Sequence, residues 1–168
     1  MKRAICLVFA VLLLVSATGC NQEKLQTYIY EDMTLSLPTD MTNVTEREKA
    51  TKPEILFAFE NETLFLYCIR EKKAAISPEE HITLEEYTHT LVSTWGLDSF
   101  PHGKREGKDY YYIRFNQPHR DGEKGGVREY LTGVYMNDTA YWFIQMDAWQ
   151  EDFDEEACYR YLDSVILQ

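Results

Sequence analysis

At 168 residues, 45% hydrophobic and 27% charged, the chain is long enough for one domain and too apolar to remain disordered. Its 28 acidic against 17 basic side chains give a formal charge of −11. That balance argues against a nucleic-acid partner, which requires a basic face, and against docking on an anionic membrane by charge alone.

The chain opens with Lys2 and Arg3, an unbroken run of twelve apolar residues from Ala4 to Val15, and then Ser16-Ala17-Thr18-Gly19-Cys20. This is the anatomy of an export signal. Twelve residues span about 18 Å as a helix, short of the roughly 30 Å hydrocarbon core. Ala17-Thr18-Gly19-Cys20 resembles the lipobox of bacterial lipoproteins, with Ala17 where that family often has Leu. The resemblance implies cleavage before Cys20, a diacylglyceryl thioether on its sulfur and, often, a further acyl chain (palmitate or its like) on the new amine. The expected organisation is a signal peptide at 1–19, a lipidated Cys20 and short tether at 20–26, and a single domain at 27–168. Loss of Lys2 and Arg3 leaves 15 basic against 28 acidic residues, a net −13. Two or three acyl chains hold such a protein firmly, where a single one is marginal. The expected location is therefore the extracytoplasmic face of a cell membrane; by the lipoprotein resemblance, Asn21 after the lipid cysteine, in place of Asp, implies the outer membrane where a cell has two. An ordinary cleaved signal with an incidental cysteine is the alternative.

Alternating apolar residues in Thr27 to Pro38 predict two short strands around Glu31-Asp32. Residues 39–53 are polar and read as a loop with room for one helical turn. Ile55 to Phe59 and Thr63 to Arg70 predict a hairpin around Glu60-Asn61-Glu62. Ser77-Pro78-Glu79-Glu80 has a helix-start pattern, and Thr83-Leu84-Glu85-Glu86 is a capping box. Leu84, Tyr87, Leu91 and Trp95 form one stripe of a helix over about 83–95, closed by Gly96. After a turn-rich stretch, Asp109 to Asn116 predicts a strand. Gln117 to Gly126 holds no apolar residue but Pro118 and reads as a mobile loop. Val127 to Met136 and Thr139 to Ala148 predict a hairpin turning at Asn137-Asp138, which pairs Gly133 with Trp142. Asp152 to Glu155 opens a last helix whose apolar stripe is Ala157, Cys158, Tyr161, Leu162 and Val165.

This order predicts an α+β fold, an antiparallel β-sheet flanked by helices. The opening Leu35-Ser36-Leu37-Pro38, the Leu84-Glu85-Glu86-Tyr87 helix and the closing Tyr161-Leu162-Asp163-Ser164-Val165 helix resemble the Mog1/PsbP-like α/β/α sandwich. That resemblance implies an accessory or partner-binding protein and carries no binding motif.

Hydrolase, metalloprotease and phosphate-loop motifs are all missing from the sequence. Glu86-Tyr87-Thr88-His89 matches one half of a carboxylate-bridged metal motif without its second copy. Glu85 and His89 read more simply as a helix-surface pair. His119, Asp121 and Glu123 alternate on the 117–126 segment, as weak divalent-cation ligands or as solvated loop residues. Cys68 and Cys158 remain after export; they form a disulfide or stay as two buried thiols. Tyr110, Tyr111, Tyr112, Tyr141 and Trp142 line a glycan or peptide groove, or serve as ordinary core. Asn43, Asn61 and Asn137 each begin an Asn-x-Thr triplet.

The expected function is a non-enzymatic, membrane-anchored accessory domain without cofactor or metal, whose partner is an envelope protein or component. A small envelope hydrolase assembled from distant residues is the alternative.

Overall fold

Two-residue periodicity dominates the chain, and the computed structural model turns most of it into antiparallel sheet; it describes residues 23–76, 82–121 and 124–168. The strands are β1 (Leu25–Tyr30), β2 (Met33–Pro38), β3 (Thr42–Asn43), β4 (Ile55–Glu60) and β5 (Phe65–Lys72), then β6 (His102–Lys104), β7 (Tyr111–Asp121), β8 (Lys124–Met136), β9 (Ala140–Trp149) and β10 (Ile166–Leu167). The helices are α1 (Thr45–Lys49), α2 (Lys73–Ile76), α3 (Leu84–Thr94) and α4 (Glu155–Asp163). The fold is α+β, an antiparallel sheet flanked by helices.

Where one sheet was expected there are two. Seven strands run in the order β3-β4-β5-β9-β8-β7-β6, and three more in the order β1-β2-β10. The small sheet packs on one face of the large one beside α4. Met33, Leu35 and Leu37 meet Phe57, Phe59, Leu66, Trp142, Ile144 and the buried stripe of α4 in one core. On the other face Tyr87, Leu91, Val92 and Leu97 of the α3 region cover Ile113, Val134, Tyr141 and Phe143.

The helix ends are specified locally. The Thr83 hydroxyl accepts from the Glu86 N–H at 3.2 Å, and the Glu86 carboxylate accepts from the Thr83 N–H at 2.9 Å. Gly96 takes φ +68°, so the Leu97 N–H reaches back to the Val92 carbonyl at 2.8 Å and ends the helix. Asp154 caps α4 by accepting from the Ala157 N–H at 3.0 Å. The Ser77-Pro78-Glu79-Glu80 start signal lies outside the described residues.

The three Asn-x-Thr triplets share one physical role. Each asparagine side-chain carbonyl accepts the backbone N–H two residues on: Thr45 for Asn43, Thr63 for Asn61 and Thr139 for Asn137. Asn61 and Asn137 also accept from the third N–H, at Leu64 and Ala140. They are turn formers.

That role corrects the β8–β9 register. Asn137 closes the turn from outside, its N–H meeting the Ala140 carbonyl at 3.1 Å, so the two residues at the tip are Asp138 and Thr139. The pairing slides by two: Tyr135 faces Trp142, and Gly133 faces Ile144. A slide of two keeps every side chain on its expected face.

The expected loop at 117–126 is also corrected. Gln117 pairs with Arg128, Pro118 with Val127 and His119 with Gly126, so β7 and β8 run on as a long hairpin. Among the described residues β6 covers β7 only over Tyr111 to Ile113, so Pro118 lies on an edge that none of them pairs, where its missing N–H costs no ladder bond.

Candidate functional site: an aromatic groove on the large sheet

The α3 region covers only the part of the large sheet around Ile113, Val134 and Tyr141. Beyond Leu97 the same face continues, among the described residues, without a helix over it, as an open groove of about 990 Å³. Alternation sets its floor. β5 contributes Phe65 and Tyr67, and β9 contributes Phe143, Gln145, Asp147 and Trp149. β8 adds Arg128 and Tyr130, and β7 adds Phe115, Gln117 and His119.

The rings fix one another. Phe115 and Tyr130 stack with centroids 4.6 Å apart and planes 2° apart. Trp95, just past α3, meets Phe143 edge-on at 5.7 Å. Tyr67 stands edge-on to Phe143 at 6.4 Å, with the Lys52 ammonium 5.0 Å above its ring. Such a floor presents large apolar area at low cost in side-chain entropy.

A charged pair is set into this floor. Asp147 is buried and ion-paired with Arg128. The Arg128 guanidinium lies 5.1 Å from the Trp149 ring, and the His119 ring meets the same indole at 5.9 Å. Burial pushes the Asp147 carboxyl above its ordinary pKa, and Arg128 offsets that only in part. Burial, aided by the Asp147 charge, pushes the Tyr67 phenol up to about 12. At the rim Arg47 clasps Glu60 with two bonds of 2.7 and 2.5 Å. Across the whole lining, three cationic side chains stand against six acidic ones, so the groove favours neutral or cationic ligands.

Several residues singled out from the sequence lie elsewhere. Tyr110, Tyr141 and Trp142 are core, at most 3% exposed. Tyr110 donates to Asp163 at 2.8 Å, and Tyr141 stacks on Tyr87 at 4.0 Å. Tyr111 donates to Glu85 at 3.2 Å, so Glu85 serves that phenol instead of the expected pairing with His89. His89 faces His102 edge-on at 5.6 Å, and Glu86 is spent on the capping box. Among the described residues no group of three or more His, Cys, Asp or Glu side chains is placed to hold a metal ion. Of the trio His119, Asp121 and Glu123, His119 sits on Trp149; Glu123 and the Asp121 side chain lie outside the described residues, as do Cys20 and His81.

Cys68 and Cys158 are both buried free thiols in the core beneath the small sheet. Burial pushes both up, Cys158 to about 12, so neither has thiolate character at neutral pH.

The sequence pattern assigns Phe65, Trp95, Phe115 and Trp149 to no groove. The sequence held one signal for it. Gln145 and Asp147 interrupt an otherwise apolar strand on a single face, which marks that face as not fully packed.

No protein-family model matches the chain, and no curated protein matches it. A crystal structure from Bacteroides thetaiotaomicron is similar in fold, with a TM-score of 0.57 at 10% identity over 88% of this chain. This chain spans about half of that protein, covering 49% of it. At that identity the likeness concerns the fold alone.

Proposed function

We propose that this protein is a lipid-anchored, extracytoplasmic accessory domain that captures an envelope protein or other envelope component along the aromatic groove. The observation that carries the reading is the groove itself, a rigid sheet face of stacked rings left uncovered where α3 stops. Rigid aromatic anchors surrounded by fixed polar groups are the usual makeup of a binding hot spot. The signal-like N-terminus and Cys20 supply the anchoring half of the proposal, and the Mog1/PsbP-like element order is in keeping with an accessory role. Trp149→Ala and Phe65→Ala should abolish co-purification of the partner from solubilised envelope while thermal melts show a folded domain. Retention of the partner by both variants would remove the groove from the account.

A small hydrolase stands as the second reading because of Asp147. A buried carboxyl with a raised pKa in a cleft beside a histidine is a pattern found in catalytic sites. Against it, Arg128 already occupies the carboxylate, and the groove lining offers no serine or cysteine nucleophile among the described residues.

A further inference from the structure

We propose that the outer face of the β1-β2-β10 sheet lies against the lipid bilayer, turning the groove away from the membrane; this rests on the anchored reading above. Tyr28 and Tyr30 turn inward onto Phe59 and Phe57, at 4.5 and 4.2 Å. Alternation therefore sends Leu25, Thr27 and Ile29 outward. The register aligns Ile29, Thr34 and Ile166 in one row across the three strands. Leu25, Ile29 and Ile166 are 46%, 72% and 62% exposed. Between them the Thr27 and Ser36 hydroxyls bond each other at 3.2 Å. Leu25, Thr27, Ile29, Thr34, Ser36 and Ile166 make an uncharged strip on a chain of net charge −11.

Two observations single out the bilayer as the occupant. The first is where the anchor enters. Cys20 stands only three residues before Glu23. Glu23 is tied down, its carboxylate accepting from the Tyr161 phenol at 2.7 Å and from Arg160 at 3.4 Å. Three extended residues reach about 10 Å, so a lipid on Cys20 holds the start of β1 at the membrane surface. The second is charge. The three acids of the segment from Glu23 to Pro38 all have arginine partners. Glu23 meets Arg160, Glu31 meets Arg70 at 2.8 Å, and Asp32 lies 3.9 Å from the same guanidinium. With Lys24 counted, three bases stand against the three acids, and an anionic headgroup layer meets a locally neutral, aliphatic strip on an otherwise acidic protein. Tethering makes contact intramolecular, so three aliphatic side chains suffice to set orientation where they would not recruit a free protein. The small sheet and the groove lie on opposite faces of the large sheet. Resting on one presents the other to the envelope space.

The test uses the full chain, purified from membranes and reconstituted in vesicles of three parts phosphatidylethanolamine to one part phosphatidylglycerol, with a small fraction of spin-labelled lipid. Ile29→Cys, Ile166→Cys and Glu62→Cys each receive a fluorophore; the buried native thiols label slowly by comparison. Labels at 29 and 166 should be quenched at least about twofold, and the label at the groove rim should not be. The mass of the N-terminal peptide reports the lipid in the same samples. Lipid present with equal, weak quenching at all three positions overturns the membrane face alone. Lipid absent from Cys20 overturns the anchored reading, and this face with it. Crosslinking of Ile29→Cys between copies without lipid quenching assigns the strip to a dimer and overturns it too.

Discussion

Gly133 lies directly under Leu162, so closely that a Cβ on the glycine would fall 2.8 Å from Leu162 Cδ2. The same Cβ would stand 2.7 Å from the Tyr135 hydroxyl, which donates to the Leu162 carbonyl at 2.9 Å. Glycine at this position lets α4 seat on β8. Gly133→Val should destabilise the domain by about 1–3 kcal/mol, the usual scale of overpacking. Leu162→Ala should cost less in the Gly133→Val background than in the wild type, because the two sites share one space. Denaturant melts of the single and double variants check both outcomes.

The same contact shows what the sequence disclosed. Apolar and alternating patterning located most of the long strands β5, β8 and β9. The expected hairpin paired Gly133 with Trp142, whereas its close neighbours are Tyr135 and Leu162. The turn decided the true register, through an asparagine side chain that closes the hairpin one residue later than its composition suggests. The 117–126 segment reads as a loop for a related reason: its polar residues pair through the backbone, which composition does not report. Beyond the signal of Gln145 and Asp147 the groove leaves little trace in the sequence, because it is defined by where a helix stops. Phe65, Phe115 and Trp149 are ordinary strand residues until the absence of a covering helix leaves their face open. The little strands β6 and β10 are too short to give any period at all.

Cys20→Ala should abolish the lipid on the N-terminal peptide and leave either an uncleaved precursor or a released domain. Metabolic labelling with a fatty acid, followed by membrane fractionation, reads both. Full membrane retention of a cleaved, unlipidated chain would contradict the anchor.

Asp147 gives a pH prediction with a definite sign. Burial raises its folded pKa above the unfolded value of about 3.9. The stability linked to this group is therefore fully present below the unfolded value and is lost as pH rises through the folded one. Asp147→Asn, which mimics the protonated form, should gain in melting temperature relative to the wild type between pH 4 and pH 7. A constant difference across that range would mean that Asp147 ionises as an ordinary carboxylate.

Replacing His81, His89 and His102 together by alanine, and His119 by phenylalanine so that a ring stays on Trp149, should leave the cellular role intact. A groove that captures a partner through rings does not depend on proton transfer. Loss of phenotype in a folded quadruple variant would favour the hydrolase reading, with His119 beside Asp147 as the first place to look.

The account stands most directly on photo-crosslinking from the groove in the intact envelope. A photoreactive amino acid is placed at Phe65 or Trp149, and at the exposed Lys104, away from the groove, as the control. The account predicts the same crosslinked envelope component from both groove positions, identified by mass spectrometry, and none from Lys104. Equal crosslinking from all three positions, or none from the groove, would contradict it.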